Sequence, residues 1–290
     1  MLFTYWMNPK LDEPPSAEAW RAQYPGFRIF GDHDVRSLLS PARLNLYDRI
    51  TLPACKSDVA RLVLLREYGG LYIDAHAGPT QGERLAETLD ALASFELVLF
   101  CRAYLKKSPD ETHLTNGAIA GRRHSLLLKR LIDCGFDHLT DQEAAESAAS
   151  GYVHYNLWGI VGTWILLKCF FDLSLKPSDL KPEFKNMILV RHLATEEEPG
   201  FQLYKYYGYR EPGRHWSERQ KTEPLFRQAS SPPTNDQSHN GTGGSAGCQC
   251  VANGGPDNPL VAETENASGG SVQAPTMTPV TYFSGWLGYP

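Results

Sequence analysis

The sequence predicts an α/β fold with a largely parallel sheet whose faces are covered by helices. Two observations predict it. Short apolar runs of strand length alternate along the chain with longer segments in which apolar residues recur at helical spacing. The chain also opens with a strand, a helix and a second strand, the unit from which parallel sheets are built.

The N-terminal unit is marked by aromatic runs and turn residues. Residues 3–6 form a first strand. Ser16 is a good N-cap for a helix that ends near residue 23 and turns Trp20 inward. Pro25-Gly26 then makes a turn into a second strand at residues 27–30.

The clearest helix lies in the middle of the chain. Ser57 is its predicted N-cap, and it runs to Tyr68 with an apolar stripe formed by Val59, Leu62, Val63 and Leu65. Gly69-Gly70 ends it by permitting a left-handed backbone. Residues 71–74 then form a buried strand that ends in a carboxylate, which is where ligands bind in α/β sheets.

The later elements follow the same alternation, whereas the pattern over residues 38–50 is ambiguous. The expected helices cover residues 83–93, 126–132, 142–149 and 160–171. The expected strands cover residues 97–101, 114–120 as an edge or strand-turn, and 187–191.

Composition divides the chain into three parts. The net charge is −5, but no Lys or Arg follows Arg227, and residues 229–271 consist mostly of small and polar residues. Such a segment has too little apolar surface to offset the entropy of ordering it. We therefore predict a near-neutral globular domain over residues 1–227, a disordered low-complexity linker over 228–279 and an aromatic C-terminal tip over 280–290.

The same composition excludes several kinds of protein. Residues 1–227 hold 28 basic and 29 acidic side chains, so a nucleic-acid partner is not expected. The longest apolar stretch, residues 157–175, contains Lys168 and Asp172 and predicts no transmembrane segment. The first ten residues lack the basic and apolar regions of a signal peptide. We expect a cytoplasmic protein, or one at the inner face of a membrane.

Five side chains that suit ligand chemistry converge in this pattern. Asp58 and Arg61 are three residues apart on one helix face. Tyr72, Asp74 and His76 alternate along the next strand and share one side. Together they could hold a hard cation and a phosphorylated, hydroxyl-rich ligand. The alternative is an ordinary surface ion pair beside a turn aspartate.

The stretch Ser57-Asp58-x-x-Arg61, followed by Tyr68-Gly69-Gly70-Leu71-Tyr72-Ile73-Asp74, resembles the core of the glycosyltransferases with a DXD-containing sugar-binding region. That family includes capsule and lipopolysaccharide enzymes, the yeast outer-chain mannosyltransferase and clostridial toxin catalytic domains. Trp6, the segment 20–30 and the run 115–119 resemble further family elements, so the likeness spans residues 1–216.

The resemblance implies a GT-A fold, a nucleotide-sugar donor, a divalent cation (Mn²⁺ or Mg²⁺) and retention of the anomeric configuration. Carried over by position, Trp6 would stack on the base, and Tyr72 would pack against the nucleotide. Asp58 and Asn116 would contact the donor sugar. Arg61 would contact sugar and diphosphate, which makes Asp58 and Arg61 the catalytic pair.

The metal motif departs from the family pattern. In place of D-x-D this chain has Asp74-Ala75-His76, and we expect Asp74 and His76 to bind the metal because neutral imidazole is a competent Mn²⁺ ligand. Two alternatives stay open. His76 could face the diphosphate in an enzyme that works without a metal, or the site could bind its ligand without turnover.

The family also places a His and a Trp on a late loop over the donor phosphates. His215 and Trp216 are the favoured match. His192 is a second candidate, and Ser284-Gly285-Trp286 at the C-terminal tip is a third. The tip is disfavoured because mobile lids usually hinge on short segments.

The resulting prediction is a retaining glycosyltransferase that moves a hexose or N-acetylhexosamine to a polysaccharide or glycolipid acceptor. Its partners would be the nucleotide-sugar donor and a carbohydrate or lipid-linked acceptor, with peripheral membrane association as an option. A toxin-like protein glycosyltransferase and a pseudoenzyme that binds nucleotide sugar are the alternatives.

Overall fold

The computed structural model describes residues 1–8, 10–80, 84–103, 112–171, 179–193, 199–206 and 215–227. The predicted linker and aromatic tip, residues 228–290, lie outside these ranges, and so does Ser284-Gly285-Trp286. All of the described residues belong to one unit of the chain, Met1–Pro233.

Eight strands and nine α-helices occur within the described ranges. The strands are β1 (Leu2–Tyr5), β2 (Arg28–Phe30), β3 (Gly70–Ile73), β4 (Gly78–Pro79), β5 (Leu97–Ala103), β6 (Thr112–Gly121), β7 (Ile188–Leu193) and β8 (Phe201–Gln202). The helices are α1 (Ala17–Gln23), α2 (Asp32–Arg36), α3 (Pro41–Arg49), α4 (Pro53–Tyr68), α5 (Arg84–Asp90), α6 (Leu126–Ala148), α7 (Leu157–Ile160), α8 (Thr163–Phe170) and α9 (Trp216–Arg219). None of the described helices is long and apolar enough to cross a membrane.

Six strands form the central sheet in the order β2-β1-β3-β6-β5-β7, and β4 pairs with β8 in a separate ribbon. β1 is parallel to β2 and β3, and β5 is parallel to β7. Among the described strands of the central sheet, only β6 runs antiparallel to its two neighbours, β3 and β5. The predicted α/β fold, with a mostly parallel sheet flanked by helices, is confirmed.

β6 corrects the prediction of an edge strand at residues 114–120. It lies between β3 and β5, and Ala118, Ile119 and Ala120 are at most 1% exposed. It carries two polar residues, Thr115 and Asn116. Those side chains are held within the protein, because Asn116 bonds to α4 and the Thr115 hydroxyl accepts from the Gly117 amide.

Helix α4 begins at Pro53, four residues before the predicted N-cap Ser57. Proline suits the first helical turn because its missing N–H would have no partner there. Ser57 therefore lies inside the helix, and its hydroxyl is available for the site. The helix ends at Tyr68 as predicted, where Gly69 and Gly70 have φ angles of 66° and 107°.

Gly70 permits the close approach of β3 to the start of the chain. A Cβ on this residue would overlap the carbonyl oxygen of Met1, which accepts the Leu71 amide at 2.8 Å. The positive φ and this contact both require glycine. The parallel pairing of β1 with β3 brings the residues after Tyr5 and Ile73 to one carboxyl edge of the sheet.

Two helix boundaries differ from the predictions. Residues 126–148 form the single helix α6 instead of two, because the polar residues near 140 lie on an exposed side and do not interrupt it. The predicted helix 160–171 is divided into α7 and α8. Gly162 separates them, where a Cβ would lie 3.0 Å from the backbone of Trp158.

Candidate active site

The carboxyl edge of β3 gathers most of the predicted site residues. Asp58 and Arg61 come from α4, Tyr72 is in β3, Asp74 follows it directly, and Asn116 is in β6. Because β3 lies between β1 and β6, this edge is at the middle of the sheet. The position is the one at which open α/β sheets bind ligands.

Arg61 is at the centre of the cluster. Its Nη2 atom lies 2.7 Å from Asp58 Oδ1, and its Nη1 atom lies 3.3 Å from Asp74 Oδ1. The side chains of Arg61, Asp58 and Asp74 are only 6%, 11% and 19% exposed. The pair Asp58–Arg61 is therefore a buried bridge, and the alternative of an ordinary surface ion pair is wrong.

Further contacts fix the orientation of the guanidinium. Nη1 also donates to the backbone oxygen of Asn116, and Nε donates to that of Ser57 at 3.2 Å. The Arg61 Cζ atom lies 4.8 Å from the ring centroid of Tyr72, a cation–π distance. Lysine could not make this set of contacts, because only guanidinium has a rigid planar fork of donors.

The two carboxylates are held by neutral donors as well. Asn116 Nδ2 donates to Asp58 Oδ1 at 2.9 Å. The hydroxyl of Tyr72, which is fully buried, donates to Asp74 Oδ1 at 2.8 Å and lies 3.1 Å from Ser57 Oγ. These contacts bring Asp58, Arg61, Tyr72, Asp74 and Asn116 into one network.

Burial and charge act in opposite directions on the pKa values. Burial raises the pKa of Asp58 to about 7, although Arg61 and the Asn116 amide lower it. Burial also raises the pKa of Tyr72 well above its usual value. For Arg61, burial lowers the pKa, but Asp74, Tyr72 and Asp58 raise it by more, so Arg61 stays charged. Asp58 therefore titrates near neutral pH beside a fixed positive charge.

His76 approaches Asp74 through a turn, not through strand alternation as predicted. β3 ends at Ile73, and the Ala77 amide donates back to Asp74 O at 2.8 Å. His76 Nε2 lies 3.8 Å from Asp74 Oδ2. The His76 ring stacks on that of Tyr204, with centroids 4.6 Å apart and planes 11° from parallel.

The pair Asp74 and His76 is chemically suited to share a divalent cation. Bonds of about 2.1 Å to each ligand atom can span a separation of up to about 4.2 Å, and 3.8 Å lies within this limit. No group of three or more metal-ligating side chains occurs in the described part of the chain. Phosphate oxygens and water would have to supply the other ligands, as is common for Mg²⁺ sites.

Trp6 and the late His–Trp pair make contacts of their own. Trp6 follows β1, and its Nε1 atom donates to Leu11 O at 2.8 Å. His215 is the N-cap of α9, with its Nδ1 atom 2.6 Å from Ser217 Oγ, and its ring is 5.2 Å from that of Trp216. The side chain of His192, in β7, is not among those described.

Three residues to which the sequence assigned no role in ligand binding complete the site. The Ser57 Oγ atom lies 3.3 Å from Arg61 Nη2. The position of Ser57 in the S-D-x-x-R motif could have suggested this contact. Tyr204 reaches His76 because β8 pairs with β4. Gly117 leaves room for Asp74, since a Cβ there would lie 2.9 Å from Asp74 Oδ2. Local sequence patterns carry no signal for the last two.

A buried guanidinium between two carboxylates at the carboxyl edge of an α/β sheet is an arrangement that can bind phosphorylated, hydroxyl-bearing ligands. Residues 16–86 match the family described as a glycosyltransferase sugar-binding region containing a DXD motif. The family resemblance predicted from the sequence is thereby confirmed over residues 16–86. The matched segment includes Asp58, Arg61, Tyr72, Asp74 and His76.

One solved structure similar to this chain is titled PaToxG Glycosyltransferase. The two are 12% identical, with a TM-score of 0.35, and the likeness covers 58% of this chain and 67% of that one. No curated protein matches the chain.

Proposed function

We propose that this protein is a retaining glycosyltransferase that transfers a hexose or N-acetylhexosamine from a nucleotide sugar to a polysaccharide or glycolipid acceptor. The observation that carries the proposal is the buried Asp58–Arg61–Asp74 cluster at the carboxyl edge of β3. It lies in the segment that matches a glycosyltransferase sugar-binding region.

Arg61 would stabilise the departing diphosphate. Cleavage of a glycosyl-phosphate bond leaves negative charge on the diphosphate and positive charge on the anomeric carbon. A preorganised guanidinium stabilises that negative charge without having to reorient. The contacts of Arg61 with Ser57, Asn116 and Tyr72 provide this preorganisation.

Asp58 would orient the donor sugar. Its Oδ1 atom is used by Arg61 and Asn116. Among the described residues no hydrogen-bond donor reaches its Oδ2 atom, so that oxygen can accept from sugar hydroxyls. Asn116 would hold Asp58 and contact the same sugar.

We further propose that Trp6 stacks on the base, that Tyr72 packs below the nucleotide while holding Asp74, and that His215 and Trp216 close over the phosphates.

Asp74 and His76 would hold Mn²⁺ or Mg²⁺, since DXD domains of this kind generally bind a divalent metal. When bound, such a cation neutralises charge on the diphosphate. Asp74 Oδ1 is occupied by Tyr72 and Arg61, which leaves Oδ2 on the side of His76.

The proposal is tested with a panel of nucleotide sugars and Mn²⁺, in which binding is measured by calorimetry and released nucleotide by mass spectrometry. We expect one donor to bind and to be slowly hydrolysed or transferred, and excess EDTA to remove most of this turnover. Binding without any turnover would favour the pseudoenzyme. That alternative is suggested by His76, which stands where the D-x-D motif has its second aspartate. Absence of binding to every donor would reject the proposal.

Metal dependence also separates the two roles considered for His76. We expect His76→Asp, which restores the D-x-D pattern, to keep Mn²⁺-dependent turnover, and His76→Ala to lower Mn²⁺ affinity by about tenfold or more. If EDTA leaves turnover unchanged, neither Asp74 nor His76 acts as a metal ligand.

The raised pKa of Asp58 predicts a pH dependence. A carboxyl group with a pKa near 7 is mostly protonated at pH 6 and mostly ionised at pH 8. Since the ionised form accepts more hydrogen bonds from sugar hydroxyls, donor affinity should rise severalfold over this range. Asp58→Asn should flatten the profile, whereas Asp48→Asn, which changes an exposed pair with Arg36, should not. An unchanged profile in Asp58→Asn would contradict this role.

A further inference from the structure

A second buried polar cluster lies at the carboxyl ends of β1 and β2, and the roles above do not use it. Asp32 Oδ1 accepts hydrogen bonds from Tyr5 at 3.1 Å and Tyr47 at 2.9 Å. The same oxygen lies 3.4 Å from Lys56 Nζ. The Tyr5 and Tyr47 hydroxyls are themselves 3.1 Å apart.

The cluster is built around a buried ammonium group. Lys56 is 8% exposed, and its Nζ atom lies 4.6 Å from the ring centroid of Tyr47. Lysine is rarely buried unless it is paired, and Asp32 is the partner here. Burial raises the pKa values of Tyr5 and Tyr47, so both phenols keep the protons that they donate to Asp32.

The contacts of Asp32 described above use only one of its two carboxylate oxygens. All three contacts reach Oδ1, and among the described residues no donor reaches Oδ2. When side chains alone are compared, Asp32 is 27% exposed and Lys56 is 10% exposed. The carboxylate is therefore held from the protein side while its second oxygen can reach a ligand.

Asp32 lies at the carboxyl edge of the central sheet, where the nucleotide-sugar donor would bind. The Trp6 amide donates to Phe30 O at 2.8 Å, which fixes the end of β1 beside the end of β2. Lys56 precedes Asp58 by two residues on α4. The cluster therefore lies at the same carboxyl edge of the sheet as Trp6, and α4 connects it to Asp58.

We propose that Asp32 binds the ribose hydroxyls of the nucleotide donor, with Tyr5, Tyr47 and Lys56 as positioning residues. The inference rests on the proposed function and adds the ribose subsite to it. A carboxylate repels phosphate and accepts hydrogen bonds from neutral hydroxyls. In dinucleotide-binding folds, an acidic residue of the β-α-β unit recognises ribose hydroxyls in the same way.

The test compares ribonucleotides with their deoxy forms. Calorimetry with Mn²⁺ measures binding of UDP and GDP to the full-length protein, and then of the 2′-deoxy and 3′-deoxy forms of whichever binds. We expect at least one deoxy form to bind about 10- to 100-fold more weakly, the usual effect of losing a hydrogen bond to a charged group.

Substitutions then assign this preference to Asp32. Asp32→Ala should reduce ribonucleotide affinity to that of the deoxy form and abolish the preference. Asp32→Asn keeps the shape of the side chain and should reduce the preference without unfolding the protein. The control Asp48→Ala removes a carboxylate of equal charge from an exposed ion pair and should keep the full preference.

Substitutions of Lys56 test separately whether this residue positions Asp32, because their effect is measured on the preference for ribose over deoxyribose. Lys56→Met should weaken the ribose preference, and Lys56→Arg should restore much of it, with thermal unfolding used to confirm that each variant is folded. If the wild-type protein binds ribo and deoxy forms equally, or if folded Asp32→Asn and Asp32→Ala retain the full preference, the ribose role of Asp32 is wrong and the proposed function stands. If neither nucleotide nor any nucleotide sugar binds the wild-type protein, the proposed function itself fails.

Discussion

Replacing Arg61 by methionine is expected to lower turnover of the nucleotide sugar by about a thousandfold or more. Removal of one preorganised donor from a developing negative charge typically costs a factor of about 10² to 10³. Arg61 would lose several donors at once, because it contacts Asp58, Asp74 and the backbone of Asn116. Turnover is measured by mass spectrometry of released nucleotide at saturating donor.

The same substitution should also reduce stability. Methionine leaves Asp58 and Asp74 buried without the cation between them, and removal of one partner of a buried ion pair typically costs about 3 to 5 kcal/mol. We expect the midpoint of urea unfolding to fall. We also expect the pKa of Asp58 to rise further, because Arg61 is the main group that lowers it.

Two comparison variants separate chemistry from folding. Arg66→Met makes the same change on an exposed part of α4 and should leave both turnover and stability nearly unchanged. Arg61→Lys keeps the charge but cannot reach both carboxylates at once, so it should fold better than Arg61→Met and remain slow. Turnover of folded Arg61→Lys within a factor of a few of wild type would show that the planar fork is not needed.

The contrast between α4 and β6 shows which parts of the site can be predicted from sequence. The motif residues of α4 and β3 are joined by a short Gly-Gly link, so their spacing determines which side chains face one another. Local periodicity was therefore sufficient to predict that Asp58, Arg61 and Asp74 lie close together. It could not show that they are buried, because burial depends on β6 and α6, which begin 38 and 52 residues after Asp74.

The parts that sequence could not predict depend on long-range pairing. Tyr204 contacts His76 only because Phe201–Gln202 pairs with Gly78–Pro79. The Asp32 cluster joins β1, α2, α3 and α4, and each contributes one residue with no recognisable spacing. The predicted N-cap at Ser57 was wrong for a local reason, since Pro53 suits the first helical turn and the helix begins one turn earlier.

Replacing Gly117 by alanine is expected to have the second largest effect, a loss of turnover of about a hundredfold with little loss of stability. Gly117 lies in β6 opposite the end of β3, where its backbone oxygen accepts the Asp74 amide at 2.8 Å. A Cβ would lie 2.9 Å from Asp74 Oδ2, 3.3 Å from Thr115 Oγ1 and 3.4 Å from a methyl group of Leu203. The Asp74 carboxylate is the group that must move.

The size of this effect follows from what Asp74 holds. Displacing a group of the site by about 1 Å can cost a factor of about 10² in rate. The Oδ2 atom that the new methyl group would push is the one facing His76. The requirement for Mn²⁺ should therefore change together with the rate, and titration of turnover against Mn²⁺ should show a higher half-saturating concentration.

Gly26→Ala is the matched control, because nothing lies within 4 Å of a Cβ at that position and its backbone needs no glycine. It should leave both turnover and Mn²⁺ dependence unchanged. The Gly117 variant also distinguishes two roles of Asp74. If turnover falls but the half-saturating Mn²⁺ concentration does not change, Asp74 acts by orienting Arg61, to which its Oδ1 atom is bound, and not as a metal ligand. If neither quantity changes, the carboxylate can move without consequence, and the assignment of Asp74 to the site is wrong.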